Sequence, residues 1–412
     1  MVEDGMDRVD ILIIGGGLTG LAAAAALSQE RKGPAFQVTL IDAGDPAKQR
    51  EAAFDGRASA ITATSKRMFK ALGLWSDLAA VAQPMDKIVV TDTRLDAAAR
   101  PALLQFDEAD FPGEPSAYMI ENRHLYGTLY DHVVAQGKVE ILASARASHY
   151  DFSKAQACVD LEDGRSKAAP LIAAADGRGS PLREAAGIET VNWAYPQSGI
   201  VTTVEHAKPH HGRAEENFLP AGPFAILPLK GNRSSLVWTE ESQIAEHIMQ
   251  LDDDGFRLEL VRRFGSHLGE VVPVGPRFSY PLSMHVARSY VAPRLALLGD
   301  AAHGIHPIAG LGFNLALRDV AALADVLQSK ARLGLDIGSE AVLEEYEAWR
   351  RFDNLKVALM SDGLNRLFSN DNQALRAARD LGITMVNQLN PLKRFFMREA
   401  AGLNERLPSL MR

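Results

Sequence analysis

Of the chain's 412 residues only one is cysteine, Cys158. A lone thiol excludes an internal disulfide and any multi-cysteine zinc or iron–sulfur centre. No apolar run approaches the ~20 residues that span a bilayer. The first ten residues, MVEDGMDRVD, are acidic where a secretory leader would be basic. There is no block of lysine and arginine either. Forty-four basic side chains stand against 52 acidic ones, a formal charge of −8, so nucleic acid is not an expected partner. No repeat or low-complexity tract stands out. These absences predict a reduced, soluble chain of the cell interior. What remains is ordinary globular composition, 47% hydrophobic and 23% charged, which excludes disorder as the main reading. A prior of roughly 150 residues per domain suggests two or three structural units.

The first motif comes almost at once. Val9–Ile14 (VDILII) is a short β-branched run of the kind that forms a buried parallel strand. It leads into Gly15-Gly16-Gly17-Leu18-Thr19-Gly20, which satisfies G-x-G-x-x-G, and then into an alanine-rich stretch that predicts a helix. A second strand, Val38–Ile41, ends at Asp42, 22 residues beyond Gly20. This order is the dinucleotide-binding βαβ unit. Gly15 permits the tight turn, Gly17 lets backbone approach a pyrophosphate, and Gly20 lets helix and strand pack. The helix start favours the pyrophosphate charge, and Asp42 is placed to accept ribose hydroxyls. The motif alone leaves FAD and NAD both open.

Further along, Ile200–Val274 reads as short strands separated by Gly, Pro and Asn turns, which predicts an antiparallel sheet inserted into the nucleotide domain. After Gly310, Asn314–Leu327 and Glu340–Leu359 carry apolar residues at helical spacing. Two short apolar runs end in further glycine–aspartate pairs, Asp176-Gly177 and Gly299-Asp300. His303 and His306 stand at i, i+3, but no carboxylate or thiol cluster beyond Asp300 accompanies them, so no metal site is expected. His210-His211 lies in a charged loop and is expected to be solvated. No G-x-S-x-G nucleophile elbow is present.

With these motifs in hand the sequence resembles the FAD-dependent aromatic hydroxylases, the single-component flavoprotein monooxygenases. GxGxxG, DG and GD occur in that family's order, at Gly15–Gly20, Asp176-Gly177 and Gly299-Asp300. The resemblance implies an α/β fold: a Rossmann-like FAD-binding domain with an inserted antiparallel β-sheet substrate domain and C-terminal helices. The implied division is 1–83, 116–185 and 288–335 for FAD, 84–115 and 186–287 for substrate, and 336–412 for the helical region. Asp300, after Gly299, would hold the ribityl chain. Pro307 would pack near the flavin ring, the amides of Phe313 and Asn314 would face its N1/O2 edge, and Gly312 beside them is nominated as FAD-binding too. The segment FDGRASAIT nominates Arg57, and Glu121-Asn122-Arg123 nominates Arg123 as a second FAD-contacting arginine. Asp176 is associated with FAD and NAD(P)H contacts.

Within that family the string GDAAHGIHPIAGLGFNLALRDVAAL and the run Asn390–Leu410 look most like the ubiquinone-biosynthesis hydroxylases. Many members carry Gln where this chain has Leu311, so the ring position is left open. The resemblance implies FAD as cofactor, NAD(P)H and O₂ as co-substrates, and a polyprenylated phenol hydroxylated through a flavin C4a-hydroperoxide. No general base is nominated and the catalytic side chains stay unassigned. Phe224, Leu227, Pro228 and Trp238 are nominated as substrate-pocket walls, with ordinary sheet core as the open alternative. The rivals are hydroxylation of a small soluble phenol or benzoate, a lipid-acting flavin reductase or dehydrogenase, and a non-catalytic FAD-binding scaffold. The expected location is the cytoplasm. The mixed basic and apolar segment 392–398 is a candidate for peripheral contact with the inner membrane or a partner protein, a packed terminal helix being the alternative. Homo-oligomerisation is left open.

Overall fold

The computed structural model describes residues 7–51, 56–95, 100, 102–106, 115–153, 155–369 and 406–412. Segment 392–398, nominated for membrane or partner contact, lies outside the described residues.

The β-branched runs form the expected buried sheet. Its six strands lie in the order Val291–Ala292, Leu295–Leu297, Leu171–Ala174, Ile11–Ile14, Val38–Ile41, Val139–Leu142. The five from Leu295–Leu297 onward are parallel, and Val291–Ala292 is antiparallel at the edge. Ile11, Leu12 and Ile13 are fully buried, as a strand covered on both faces requires. The helix Leu18–Leu27 has alanine at five consecutive positions, all buried. Without bulky side chains it lies close to the sheet and packs against the helices Asn122–Gln136 and Gly312–Ala331.

A second, nine-stranded sheet is built around one long strand, Thr190–His206, which pairs antiparallel with both Arg233–Glu241 and Phe278–Ala287. The strands Gly222–Leu229, Arg213–Leu219, Lys87–Asp92 and Ala102–Phe106 follow outward. The sheet departs from the expected pattern in two ways. Its first inserted strand begins ten residues earlier than the turn signals suggested, and Arg213–Leu219 pairs with Lys87–Asp92 in parallel. The parallel pair arises because the inner and outer strands come from chain segments over 100 residues apart, which leaves their relative direction unconstrained by a hairpin. Two small sheets complete the fold. One joins Ala58–Thr62, Ala117–Glu121 and Gln83–Met85; the other joins Asp7–Arg8, Ser166–Ala169, Ala157–Leu161 and Ala147–Asp151.

The large sheet has two differently clad faces. One carries Phe224, Ile226, Leu236 and Trp238 into a separate core beneath the helices Ser242–Gln250 and Asp253–Phe264. The other turns toward the parallel sheet and encloses a cavity of about 1940 Å³. The helix Glu340–Phe368 runs along the helix Gly312–Ala331 and reaches the cavity with its last turns. Among the described residues, no helix is long and apolar enough to cross a membrane.

Candidate active site

One end of the cavity is the glycine-rich turn. A Cβ at Gly20 would sit 1.8 Å from the Gly15 carbonyl oxygen, so this position tolerates only hydrogen. A Cβ at Gly17 would meet nothing within 4 Å, because Gly17 faces the open cavity. The helix Leu18–Leu27 starts here, and its first-turn amides have no acceptor within the helix. Asp42 does not line the cavity. Its carboxylate accepts the Gly16 N–H through Oδ2 and the Gly44 N–H at 2.6 Å through Oδ1, so it holds the turn in shape. The Tyr126 hydroxyl donates to the Gly16 carbonyl at 3.0 Å. Burial comes first among the causes that push the Tyr126 phenol upward, followed by the Asp42 charge.

The second end is the turn after Leu295–Leu297. Gly299 has φ +56°, and a Cβ there would lie 2.9 Å from the Ala316 methyl. Asp300 is exposed to the cavity, and its backbone is pinned by His285, whose Nε2 donates to the Asp300 carbonyl at 2.8 Å. Arg183 donates to the next carbonyl, Ala301, at 2.8 Å. Behind the turn stands a buried polar network that sequence reasoning missed. Asp319 accepts from Gly299 N–H at 3.1 Å, and its Oδ2 lies 2.6 Å from His303 Nε2. Its other oxygen accepts from Arg350 Nε and Asn354 Nδ2, each at 2.9 Å. Burial raises the Asp319 pKa, but His303 and Arg350 outweigh it and hold the carboxyl at about 2. The available signal was a charged Arg318-Asp319 pair inside an otherwise apolar helix.

Between these ends the chain from Pro307 to Asn314 forms a rim. The helix Gly312–Ala331 begins there, and the amides of Gly312, Phe313 and Asn314 occupy its first turn, without intrahelical acceptors. The Asn314 side chain is itself buried. Its Oδ1 accepts from Thr62 N–H at 3.0 Å and Ser65 Oγ at 2.8 Å, and its Nδ2 donates to the Ala60 carbonyl at 2.7 Å. Asn314 thus clamps the helix start to the strand Ala58–Thr62. Ser65 carried no sequence signal, and Thr62 stood only at the end of the FDGRASAIT segment, because their role depends on Asn314, far away in the chain.

Of the nominated residues, Gly17, Arg57, Arg123, Asp300, Pro307, Gly312, Phe313 and Leu227 line the cavity. Gly15, Gly20 and Gly299 shape its turns from behind. Arg123 also donates to Glu121 at 2.8 Å. Asp176 sits at the end of Leu171–Ala174, accepts the Leu182 N–H at 3.2 Å, and is pushed up chiefly by burial. Three pocket nominations are corrected: Phe224, Pro228 and Trp238 are not among the cavity-lining residues. Successive strand side chains alternate between faces, so Phe224 and Trp238 enter the outer core, while Pro223, Ala225 and Leu227 face the cavity. The histidine pair is corrected too. His210 is buried, with Nε2 2.8 Å from the Leu229 carbonyl, while its neighbour His211 is exposed.

The sheet half of the cavity is walled by Ile88, Val90, Leu104, Phe218, Leu227 and Val237. Two carboxyls of the strand Arg213–Leu219, Glu215 and Glu216, border it as well.

A flavin dinucleotide fits the donor set present. Gly17 leaves room for a pyrophosphate, Asp300 presents a carboxylate to polyol hydroxyls, and the Gly312–Asn314 amides present positive charge to an anionic ring edge. Among the described residues, no group of three or more His, Cys, Asp or Glu side chains is placed to hold a metal.

Comparison with known proteins agrees. Residues 8–356 match the sequence family described as FAD binding domain. Ubiquinone hydroxylase UbiL of Rhodospirillum rubrum is 46% identical, over 100% of this chain and 94% of its own. The 3-demethoxyubiquinol 3-hydroxylase of Escherichia coli is 34% identical, over 96% of this chain and 98% of its own. The crystal structure of p-nitrophenol 4-monooxygenase PnpA from Pseudomonas putida superimposes with a TM-score of 0.79 at 19% identity, covering 98% of this chain and 100% of that one, which shows the fold.

Proposed function

Because the chain belongs to the FAD-binding monooxygenase family related to the ubiquinone hydroxylases, we propose that it hydroxylates the aromatic ring of a polyprenylated phenol in ubiquinone biosynthesis. NAD(P)H is the proposed reductant and O₂ the oxygen source. The observation that carries this reading is the cavity. At about 1940 Å³ it exceeds the roughly 300–1,000 Å³ of ordinary ligand sites. Beyond the residues suited to FAD it continues between apolar walls, Val90, Leu104 and Phe218 on the sheet and Met360, Leu364 and Leu367 on the last helix. Such walls suit a phenol bearing a hydrocarbon tail.

Bound FAD would supply the electron transfer and oxygen activation. The protein's own part is positioning and exclusion of water. Gly17 and the helix start behind it would hold the pyrophosphate, and Asp300 the ribityl hydroxyls. The amides of Gly312, Phe313 and Asn314 would meet the ring edge that becomes negative on reduction. Preorganised donors of this kind stabilise developing charge without reorganising. Asn314, clamped to Thr62 and Ser65, keeps them fixed. The apolar sheet wall would exclude water from the reacting ring. Location at the cytoplasmic face of the inner membrane remains part of the proposal, motivated by the apolar substrate.

The test uses the purified protein. Its visible spectrum should show bound flavin. NAD(P)H oxidation should accelerate when 2-geranylphenol is added, with a product heavier by one oxygen atom. Acceleration by 4-hydroxybenzoate alone would move the protein to the soluble-aromatic reading. Flavin reduction without product would sink the monooxygenase reading.

A further inference from the structure

Glu216 lies in the middle of the strand Arg213–Leu219, opposite Val90 on one side and Ala225 on the other. Both neighbours line the cavity, as do Ala214 and Phe218, two residues before and after it on the same face. The carboxyl therefore points inward, into a stretch of wall formed by Val90, Leu104, Ala225 and Val237. Phe218 in turn packs with Ile308, next to the rim residue Pro307. Two strand residues span about 6.6 Å, which is the separation of Glu216 from Phe218, the strand residue that packs at the rim.

No hydrogen bond or ion pair to the Glu216 side chain occurs among the described residues, and burial alone pushes its carboxyl up to about 7. The adjacent Glu215 is different, paired with Arg213 at 2.9 Å and with His267 at 2.7 Å. The charged residues of the neighbouring strand, Lys87 and Asp92, register with Arg213 and Phe218 rather than with Glu216. The other neighbour, Gly222–Leu229, has no ionisable side chain. The last helix meets the cavity through uncharged residues from Val357 to Phe368. Arg57, Arg123, Arg178 and Asp300 line the dinucleotide half. By accessible surface Glu216 is half-buried, its carboxyl opening onto the cavity, so a ligand that displaces water there has to supply the missing partner.

We propose that Glu216 is the group that binds the substrate's phenolic hydroxyl and accepts its proton, an assignment that rests on the phenol-hydroxylase reading above. The phenol O–H bond breaks, the proton moves to a Glu216 carboxylate oxygen, and the electron pair stays on the phenol oxygen. The phenolate ring is richer in electrons and reacts faster with an electrophilic oxygen. When the product forms, Glu216 returns the proton to that same oxygen, so the step consumes no oxidant or reductant. The carboxyl also fixes orientation. With the hydroxyl held on the strand Arg213–Leu219, the ring extends toward Pro307 and the tail lies along the apolar walls.

The test compares FAD-loaded, full-length wild type with Glu216→Gln and Glu216→Asp. Each is titrated with 2-geranylphenol and with its O-methyl ether, followed by the bound-flavin absorbance. Wild type should prefer the phenol about tenfold or more, and Glu216→Gln should bring the two within about threefold, the loss of roughly one hydrogen bond to a charged group. Phenol-dependent turnover of wild type should rise with pH through about 7. Glu216→Gln should lack that rise and lose turnover at least tenfold, and Glu216→Asp should recover part of both. Flavin absorbance and melting temperature show that each variant is folded. A Glu216→Gln protein with the wild-type preference and pH profile overturns the assignment and leaves the substrate reading intact. If wild type ignores 2-geranylphenol but turns over 4-hydroxybenzoate, the prenylated substrate falls. The same comparison with 4-hydroxybenzoate and 4-methoxybenzoate then decides on Glu216. Binding of no phenol sinks both.

Discussion

The dinucleotide half of the cavity combines backbone amides with a few charged side chains such as Arg57, Arg123 and Asp300, and the sheet half is made of side chains alone. On the first side the useful groups are the amides at Gly17 and Gly312–Asn314, exposed because glycine or a helix start leaves them uncovered. On the second side Val90, Phe218, Leu227 and Glu216 present chemistry chosen residue by residue. The first arrangement is set by turn and helix geometry. The second can change its ligand through single substitutions while the sheet ladder stays intact.

The largest effect should come from the backbone side. A valine at Gly20 would drive a side chain into the Gly15 carbonyl, 1.8 Å from the ideal Cβ, where only backbone could yield. Gly20→Val should destabilise the protein by about 5 kcal/mol, above the usual overpacking range, and yield protein without flavin. Gly17→Ala should behave otherwise. Its methyl enters open cavity, so the melting temperature of the flavin-free protein should hold, while FAD affinity falls about tenfold, roughly 1.4 kcal/mol. Thermal melts and flavin titration of both variants check this. Equal destabilisation by the two would erase the distinction between a packing glycine and a cofactor glycine.

This difference also explains what could be read from the sequence. The glycine turn, the Gly299-Asp300 turn and the helix start at Gly312 are local, so their spacing survives in the one-dimensional string. The sheet half obeys alternation, and alternation names two faces without saying which one looks inward. Phe224 and Trp238 were nominated as walls on the inserted sheet, yet the helices Ser242–Gln250 and Asp253–Phe264 cover that face, and Leu227 alone of the four lines the cavity. Contacts between distant segments were equally silent. Asn314 to Thr62, and Asp319 to Arg350 and Asn354, depend on which elements pack together, and even the charged Arg318-Asp319 pair does not say which partners it will meet.

A smaller effect should follow from testing the two faces of the strand pair. Trp238 is fully buried, packs edge-on with Phe224 and lies under the Arg263 guanidinium. Trp238→Ala should cost roughly 3–5 kcal/mol, with little change in the KM of the remaining folded enzyme. Leu227→Ala should cost about 1 kcal/mol, because its side chain already borders the cavity, but should raise the KM for a prenylated phenol severalfold. Denaturant melts and steady-state kinetics read the two quantities separately. A large KM change in Trp238→Ala would mean that the outer core shapes the pocket after all.

The smallest effect belongs to the seam between the halves. His306 is fully buried beside the rim residue Pro307, edge-on to Tyr195 of the long strand at 5.2 Å. Its Nδ1 accepts weakly from Ile308 N–H at 3.4 Å, and its Nε2 has no partner among the described residues. Burial lowers its pKa to about 4, against a small opposing pull from Asp362, which itself holds the Tyr195 hydroxyl at 2.8 Å. In the unfolded chain the same imidazole titrates near 6.5. Between these values the unfolded state binds the extra proton, so stability is complete above about 6.5 and is lost as pH falls toward 4. At pH 5.5 the loss should be about 1 kcal/mol relative to pH 7.5. His306→Phe keeps the edge-on ring contact and removes the titration, so its stability should fall by that much less over the same interval. Urea melts at the two pH values measure the difference. Parallel curves for wild type and His306→Phe would mean that water reaches this imidazole, and that the seam between cofactor and sheet is open where the packing draws it closed.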